Sequence, residues 1–289
     1  MLFCGGMTEL RWRCGWLLGA VLLVLPLRGV AQTAEPSLDD VLTKMHEHFD
    51  DYLAHVPNLY ADEHVVSSLG GETRGDERSS TSTETDSLFR LKRSEKPGEE
   101  KILSETRLIK SVDHRPPPEG EPLSGPVLLN GVFSYATSFF SVELKRCYDY
   151  KLVTGRKLSG RPVLTLEYAM KPIVPRESCP VHEPHSGRVF LEPESLEVLR
   201  MEQKRPHHEL TDLMNKPMLR RLIHEGETGI WEWSIDYAPV ELDGRTFWMP
   251  KTIFSNMSTN NVPMVHWGFL ATYKNYHLMT AHSTILPVE

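Results

Sequence analysis

In two late segments of this chain, Trp231–Tyr237 and Val265–Tyr273, large apolar residues recur at every second position, a spacing that only an extended strand turns into one face. Trp231, Trp233, Ile235 and Tyr237 share one side of such a strand, while Glu232, Ser234 and Asp236 share the other. Asp243-Gly244 is the two-residue turn that hairpins favour, and Thr246–Asn256 returns from it. Val265, Trp267, Phe269, Ala271 and Tyr273 then alternate again. A chain that ends this way is committed to an antiparallel sheet with one apolar face.

The rest of the chain supplies partners for these strands. Tyr60–Ser67, Thr81–Lys92 and Ile102–Val112 form a first set, separated by Gly-rich or charged turns. Cys147–Thr154 and Pro162–Ala169 are joined through Gly155 and Gly160, and Arg188–Glu192 and Leu196–Gln203 flank the turn Pro193-Glu194-Ser195. His277–Leu286 is expected to add an edge strand. The total is about ten short strands in one large antiparallel sheet.

Helices are few. Ser37 opens an amphipathic one, because Leu38, Val41, Leu42, Met45, Phe49 and Tyr52 recur at three- and four-residue steps. Ser37 with Asp40 forms a capping box, and Pro57 stops the helix. Leu128–Leu144 is either a helix or a buried apolar segment, and residues 205–226, interrupted by Pro206 and Pro217, read as a broken helix. Between the two strand sets, residues 113–126, with Pro116-Pro117-Pro118, read as an irregular crossing. The fold class is therefore α+β: a large antiparallel sheet, an N-terminal amphipathic helix and one or two covering helices, in one domain over residues 32–289.

The N-terminus reads as a secretory signal over residues 1–31. Arg11 and Arg13 precede an apolar run from Trp16 to Leu27, Gly29-Val30-Ala31 offers the small residues of a cleavage site, and Met7 is a second candidate initiator. The run is shorter than the roughly 20 residues that span a bilayer, so the mature chain is expected to have no transmembrane span. Removing the segment leaves 29 basic against 38 acidic residues, a net charge of −9. Such a balance argues against nucleic acid and anionic lipid surfaces as partners. Only Cys147 and Cys179 remain in the mature chain, an even pair that in an oxidising compartment forms one disulfide; the alternative is two buried thiols.

No catalytic or cofactor motif stands out. Cys179, His182 and His185 have zinc-like spacing but lack a fourth ligand, and a disulfide would remove Cys179. His207-His208-Glu209 lacks the helical spacing of a metalloprotease motif, and with His48 and His55 it reads as solvated surface. No metal, no cofactor and no enzyme activity is expected.

What remains is a density of rings on one face. Either the sheet folds into two layers and fills its own interior, or part of the concave face receives an apolar ligand. In the second case Trp231, Trp233, Tyr237, Trp267 and Phe269 are the candidate lining. The layout of signal, amphipathic helix and successive strands with a proline-rich interruption is similar to the LolA/LolB-like superfamily of lipoprotein carriers. The segments Gly187-Arg-Val-Phe-Leu-Glu-Pro-Glu-Ser-Leu-Glu-Val-Leu-Arg200 and Tyr237-Ala-Pro-Val-Glu-Leu-Asp-Gly-Arg-Thr-Phe-Trp-Met-Pro250 resemble late hairpins of that group. The resemblance implies a curved sheet forming an incomplete barrel closed by helices, and a periplasmic protein that holds a lipid or lipoprotein acyl chain and meets an envelope protein partner. No position matches the family's lid-fastening arginine, so no functional residue is carried over. The alternative is a non-catalytic structural or interaction module of the envelope.

Overall fold

The computed structural model describes residues 36–72, 78–93, 103–117, 145–172, 179, 183–210, 226–259 and 265–279, all within one compact unit, Pro36–Glu289. It contains one helix, α1 (Leu38–His55), and ten strands: β1 (Leu59–Glu72), β2 (Arg78–Arg93), β3 (Leu103–Val112), β4 (Tyr148–Leu158), β5 (Arg161–Met170), β6 (Ser186–Leu191), β7 (Val198–Glu209), β8 (Thr228–Leu242), β9 (Arg245–Thr259) and β10 (Val265–Leu278). All pair antiparallel in a single sheet of order β3-β2-β1-β10-β9-β8-β7-β6-β5-β4. The chain lays down β1 to β3, moves to the far edge, then meanders from β4 back until β10 pairs with β1. Among the described residues β3 and β4 have no further strand partner, so the curved sheet is open. The architecture is α+β, and the two further helical expectations, Leu128–Leu144 and most of 205–226, lie outside the described residues.

Register makes the inner face. Directly paired residues point to the same side, and Val65, Ala271, Ile253, Ile235, Met201, Val189 and Leu166 succeed one another across seven strands. None of the seven is more than 2% exposed. The expected two-residue turn Asp243-Gly244 forms, and a second one forms at Ser159-Gly160; both have positive φ at both central residues, as hairpin turns of this hand require. Gly155 sits instead at an irregularity of β4, between Val153 and Arg156.

Three expectations are corrected. Residues 205–209 are strand, not helix: β7 runs on to Glu209 and accommodates Pro206 in a bulge between Arg205 and His208, where a missing N–H costs no ladder bond. His277 and Leu278 extend β10, a central strand paired with β1, and are not an edge. Several strands reach 14 to 16 residues, longer than the punctuation of the sequence suggests.

Helix α1 lies against the inner face at one end of the strands. Ser37 caps it as expected: its Oγ accepts the Asp40 N–H at 3.2 Å while the Asp40 carboxylate accepts the Ser37 N–H at 3.2 Å. Val41, Leu42, Met45 and Tyr52 are buried in the common core. Lys145, just before β4, reaches Asp39 near the start of the helix, and Arg245, in the β8–β9 hairpin, pairs with Asp51 at 3.1 Å. At the other end Arg93 of β2 donates to the carbonyls of Ala54 and Val56.

Candidate functional site

The inner face divides into three regions. The first holds four of the five expected lining rings. Trp231 and Trp267 are both register partners of Met257, and Trp233 and Phe269 are both partners of Ser255, so these rings converge across β8, β9 and β10. Trp267 and Phe269 meet edge to face at 6.1 Å. Trp233, Trp267 and Phe269 are 5%, 3% and 5% exposed, whereas Trp231 is only partly buried.

Trp231 carries polar company that the sequence did not announce. Its Nε1 donates to Ser255 Oγ at 2.8 Å, the Arg205 guanidinium lies 4.7 Å over its ring, and the His208 ring sits 4.8 Å away. His208 is buried, not solvated as expected, and its Nδ1 is 2.7 Å from a Glu183 carboxylate oxygen. Arg205 donates to the same carboxylate at 3.0 Å and the Glu209 N–H at 3.2 Å. Burial opposes ionisation of Glu183. The bond and charge of His208, the Glu209 N–H and the Arg205 charge outweigh it and hold the carboxyl below its ordinary value of 4.5. A depressed carboxyl adds stability that is present above pH 4.5 and is lost as pH falls through the folded-state value. Glu183→Gln is therefore expected to lower the urea midpoint at pH 7 and to lose less stability than wild type between pH 5 and pH 3.5, flattening the acid limb. Parallel acid limbs would contradict this.

The second region is a charged seam inside the sheet, unforeseen from the sequence. Glu63 on β1 is fully enclosed, and Arg107 on β3 donates from Nε to its two oxygens at 2.8 and 2.9 Å. Tyr273 Oη on β10 donates to Glu63 Oε1 at 2.8 Å, and Glu105 lies 3.8 Å from the same guanidinium. Phe89 packs 5.1 Å below Arg107 and 5.5 Å from the Tyr273 ring. Alternation alone, once the inward register of β1 and β3 is known, places Glu63, Glu105 and Arg107 inside with Ala61, Val65 and Leu103. The register was the missing piece.

The third region is a cavity of about 100 Å³ between α1, the β6–β7 turn and the β8–β9 hairpin. Met45, Phe49, Leu196, Phe247 and Trp248 give its apolar wall, with His48, Tyr52, Glu197 and Tyr237 as polar members. Tyr237, the fifth expected ring, is here, roughly 20 Å along β8 from Trp231 at about 3.3 Å per residue. The structure thus brings four of the five expected rings together and places the fifth apart from them. Burial, and then the neighbouring Tyr52 phenol, push the Tyr237 hydroxyl far above its ordinary pKa, and burial acts likewise on Tyr52. Leu196 adopts φ +59°, a strained conformation for a bulky residue, and is only 9% exposed. The Glu192 carboxylate holds this turn by accepting the N–H groups of Glu194 and Ser195.

The expected disulfide forms between Cys147 and Cys179. This removes Cys179 from any zinc set, and His185 is engaged with Tyr148 Oη at 2.7 Å. Among the described residues, no group of three or more His, Cys, Asp or Glu side chains is placed to hold a metal ion. A depression of about 740 Å³ lies on the outer face, but its charged walls are satisfied by their own pairs, Arg188 with Glu202 at 2.6 Å and Lys204 with Glu232 at 2.7 Å.

No protein-family model matches the chain, and no curated protein matches it. Among solved structures, it is similar to a DUF1329 family protein from Desulfovibrio piger ATCC 29098, at 11% identity over 84% of this chain and 92% of that one, with a TM-score of 0.34. It is also similar to the LolA superfamily protein NE2245 from Nitrosomonas europaea, at 8% identity over 83% of this chain and 94% of that one, with a TM-score of 0.27. The second is of the superfamily that the sequence layout resembles; both likenesses are loose, and the geometry of the site stands on its own residues.

Proposed function

We propose that this is an exported envelope protein that holds a lipid, a lipoprotein acyl chain or another apolar ligand against the inner face of its sheet, without catalysis. Trp231, Trp233, Trp267 and Phe269 are the proposed contacts at one end, and Tyr237 beside α1 at the other. One observation carries the reading: four large rings converge on one part of the inner face, and one of them, Trp231, stays partly exposed, so it is the proposed point of entry for an apolar chain. The Cys147–Cys179 bond supports an oxidising compartment, and the proposed signal over residues 1–31 makes the periplasm the natural one. Among the described residues no helix is long and apolar enough to cross a membrane.

A cavity of about 100 Å³ is well below the roughly 300–1,000 Å³ of ordinary ligand sites. Carrying a long chain therefore requires α1 to swing outward. Its surface pairs, Arg245 with Asp51 and Lys145 with Asp39, are solvent-exposed and weak, so the cost of that motion lies in exposing Val41, Leu42, Met45 and Tyr52 and in releasing Arg93 from the helix end. Native mass spectrometry of the protein purified from its host is expected to show a co-purified lipid mass series. Clean apo protein that also fails to take up a neutral fluorescent acyl ester would overturn the reading.

A second reading, an interaction module of the envelope, is favoured by the outer face. Val66, Leu270 and Phe254 are register neighbours there and are 40%, 44% and 45% exposed. On that reading the buried inner rings are plain core.

A further inference from the structure

The chain is acidic overall, with a net charge of −7, yet residues 145–171 hold seven basic residues against two acidic ones. That stretch contains β4 and β5, so the positive charge is gathered on the hairpin at one edge of the sheet. Lys145 pairs with Asp39 and Arg156 with Glu167. Lys151, Lys157 and Arg161 are exposed and pair with no carboxylate among the described residues. The opposite edge differs. On β3 Arg107 faces Glu63 and Glu105, and Lys110 reaches Asp62 at 2.9 Å, so its cations are already matched.

Strand β4 is held in shape from both ends. Its start is tied by the Cys147–Cys179 bond and by the Lys171 N–H on the Cys147 carbonyl, and its end by the Ser159-Gly160 turn. From Tyr148 to Val153 it pairs with β5 without interruption, so its other side offers N–H and C=O groups in strand geometry. Side chains alternate along that stretch. Tyr150 and Leu152 are half-buried at the border of the core, while Asp149 and Lys151 are exposed on the opposite face. Beyond the irregularity at Gly155 the hairpin end adds Lys157 and Arg161. Lysines and a bulge on an edge also discourage self-pairing, because two copies of β4 would bring like charges together. A strand of opposite charge meets no such penalty. An anionic bilayer is the poorer match, since it repels the chain as a whole and the hairpin tip has only the half-buried Leu158 to insert.

We infer that β4 is a docking edge for an extended acidic segment of another protein, which adds to the sheet as a further strand. Its carboxylates lie towards Lys151, Lys157 and Arg161, and its apolar side chains lie beside Tyr150 and Leu152. Main-chain pairing supplies the affinity, and the charge selects the partner. This is independent of what the inner face holds.

Fluorescence anisotropy of the full chain tests it with three labelled peptides of equal length: a Val-Glu repeat, a Val-Lys repeat, and the Val-Glu repeat N-methylated throughout. The Val-Glu peptide is expected to bind about tenfold more tightly than the Val-Lys peptide, and to slow hydrogen exchange in β4 more than in β8. N-methylation keeps the charge and removes the main-chain donors, so it should weaken binding about tenfold or more. The variant Lys151→Glu/Lys157→Glu/Arg161→Glu should lose about tenfold in Val-Glu affinity and gain Val-Lys affinity. Its thermal midpoint should stay unchanged, because all three side chains are exposed. Should that variant fold poorly, raising NaCl on the wild type gives an independent readout, a progressive loss of the preference for Val-Glu. Equal binding of the Val-Glu and Val-Lys peptides, undiminished binding of the N-methylated peptide, or no binding of either repeat overturns the inference. So does binding to vesicles containing phosphatidylglycerol where the Val-Glu peptide fails, since the basic hairpin would then face a lipid surface. None of these failures touches the carrier proposal, which native mass spectrometry decides separately.

Discussion

Replacing Arg107 by methionine is expected to cost about 3–5 kcal/mol of folding stability, the usual consequence of stripping one partner from a buried ion pair. The size follows from what stays behind. Glu63 is fully enclosed and Glu105 is 3% exposed, and the same guanidinium faces both. Methionine matches the length of the arginine stem and keeps contact with Phe89, so the loss reports charge and hydrogen bonding more than a cavity. Glu63→Leu should cost less, because Arg107 keeps Glu105 beside it. In the double variant the two losses should fall short of additive, as expected for directly coupled groups. Urea midpoints of the four proteins give the cycle. Repeating it in 1 M NaCl should change little, because salt screens exposed pairs far more than enclosed ones. A loss below about 1 kcal/mol for Arg107→Met would mean that water reaches the seam and that the inner face is wetter there than Phe89 and Tyr273 suggest.

The seam also marks where reading by pattern stops. The hydrophobic period of two was enough to find the strands, because Trp231, Ile235, Trp267 and Ala271 repeat a single local rule. Ser37, Asp40 and the apolar stripe of α1 were equally legible, since capping and amphipathicity are decided within a few residues. Glu63 and Arg107 are 44 residues apart, and their meeting is decided by the pairing of β1 with β2 and β2 with β3. A one-residue slip would have sent both to solvent. The same holds for His208, whose burial depends on the bulge at Pro206 and on Glu183, 25 residues earlier. Composition, which counts thirteen histidines alike, cannot separate it from those on the surface. The ring set was half legible. Alternation placed Tyr237 with Trp231 and Trp233, but it carries no information about where along a long strand a helix will lie. Four of the five expected rings gather across β8, β9 and β10, while Tyr237 lies apart from them beside that helix.

These features share a logic. An open sheet with an apolar face needs internal order to avoid collapsing or pairing through its edges, and here polar groups supply some of it. The Glu63–Arg107–Tyr273 bonds join β1, β3 and β10, so they cross from one edge strand to the middle of the sheet. At the opposite edge no equivalent charged knot appears among the described residues; β4 is tied instead by a covalent bond.

Loss of that bond is the second large effect expected. The Cys147–Cys179 pair is separated by 32 residues, and closing a loop of that size stabilises a fold by about 3–4 kcal/mol in the chain-entropy account. Cys147 immediately precedes β4, whose outer side has no strand partner among the described residues. Around it Lys171 donates its N–H to the Cys147 carbonyl at 3.0 Å, and Tyr148 meets His185 in a buried hydrogen bond. Cys147→Ser, Cys179→Ser and the double variant should therefore lose nearly the same stability, since either change breaks the one bond. Dithiothreitol should bring wild type to the same urea midpoint. Hydrogen exchange should locate the loosening at β4 and β5 before β8 to β10, because the edge hairpin has neighbours on one side only. Uniform acceleration over all strands would instead show that the bond acts through the unfolded chain alone. A midpoint untouched by reduction would leave the edge without its expected fastening. It would also remove the main physical reason for placing this protein in an oxidising compartment, where such a bond forms and lasts.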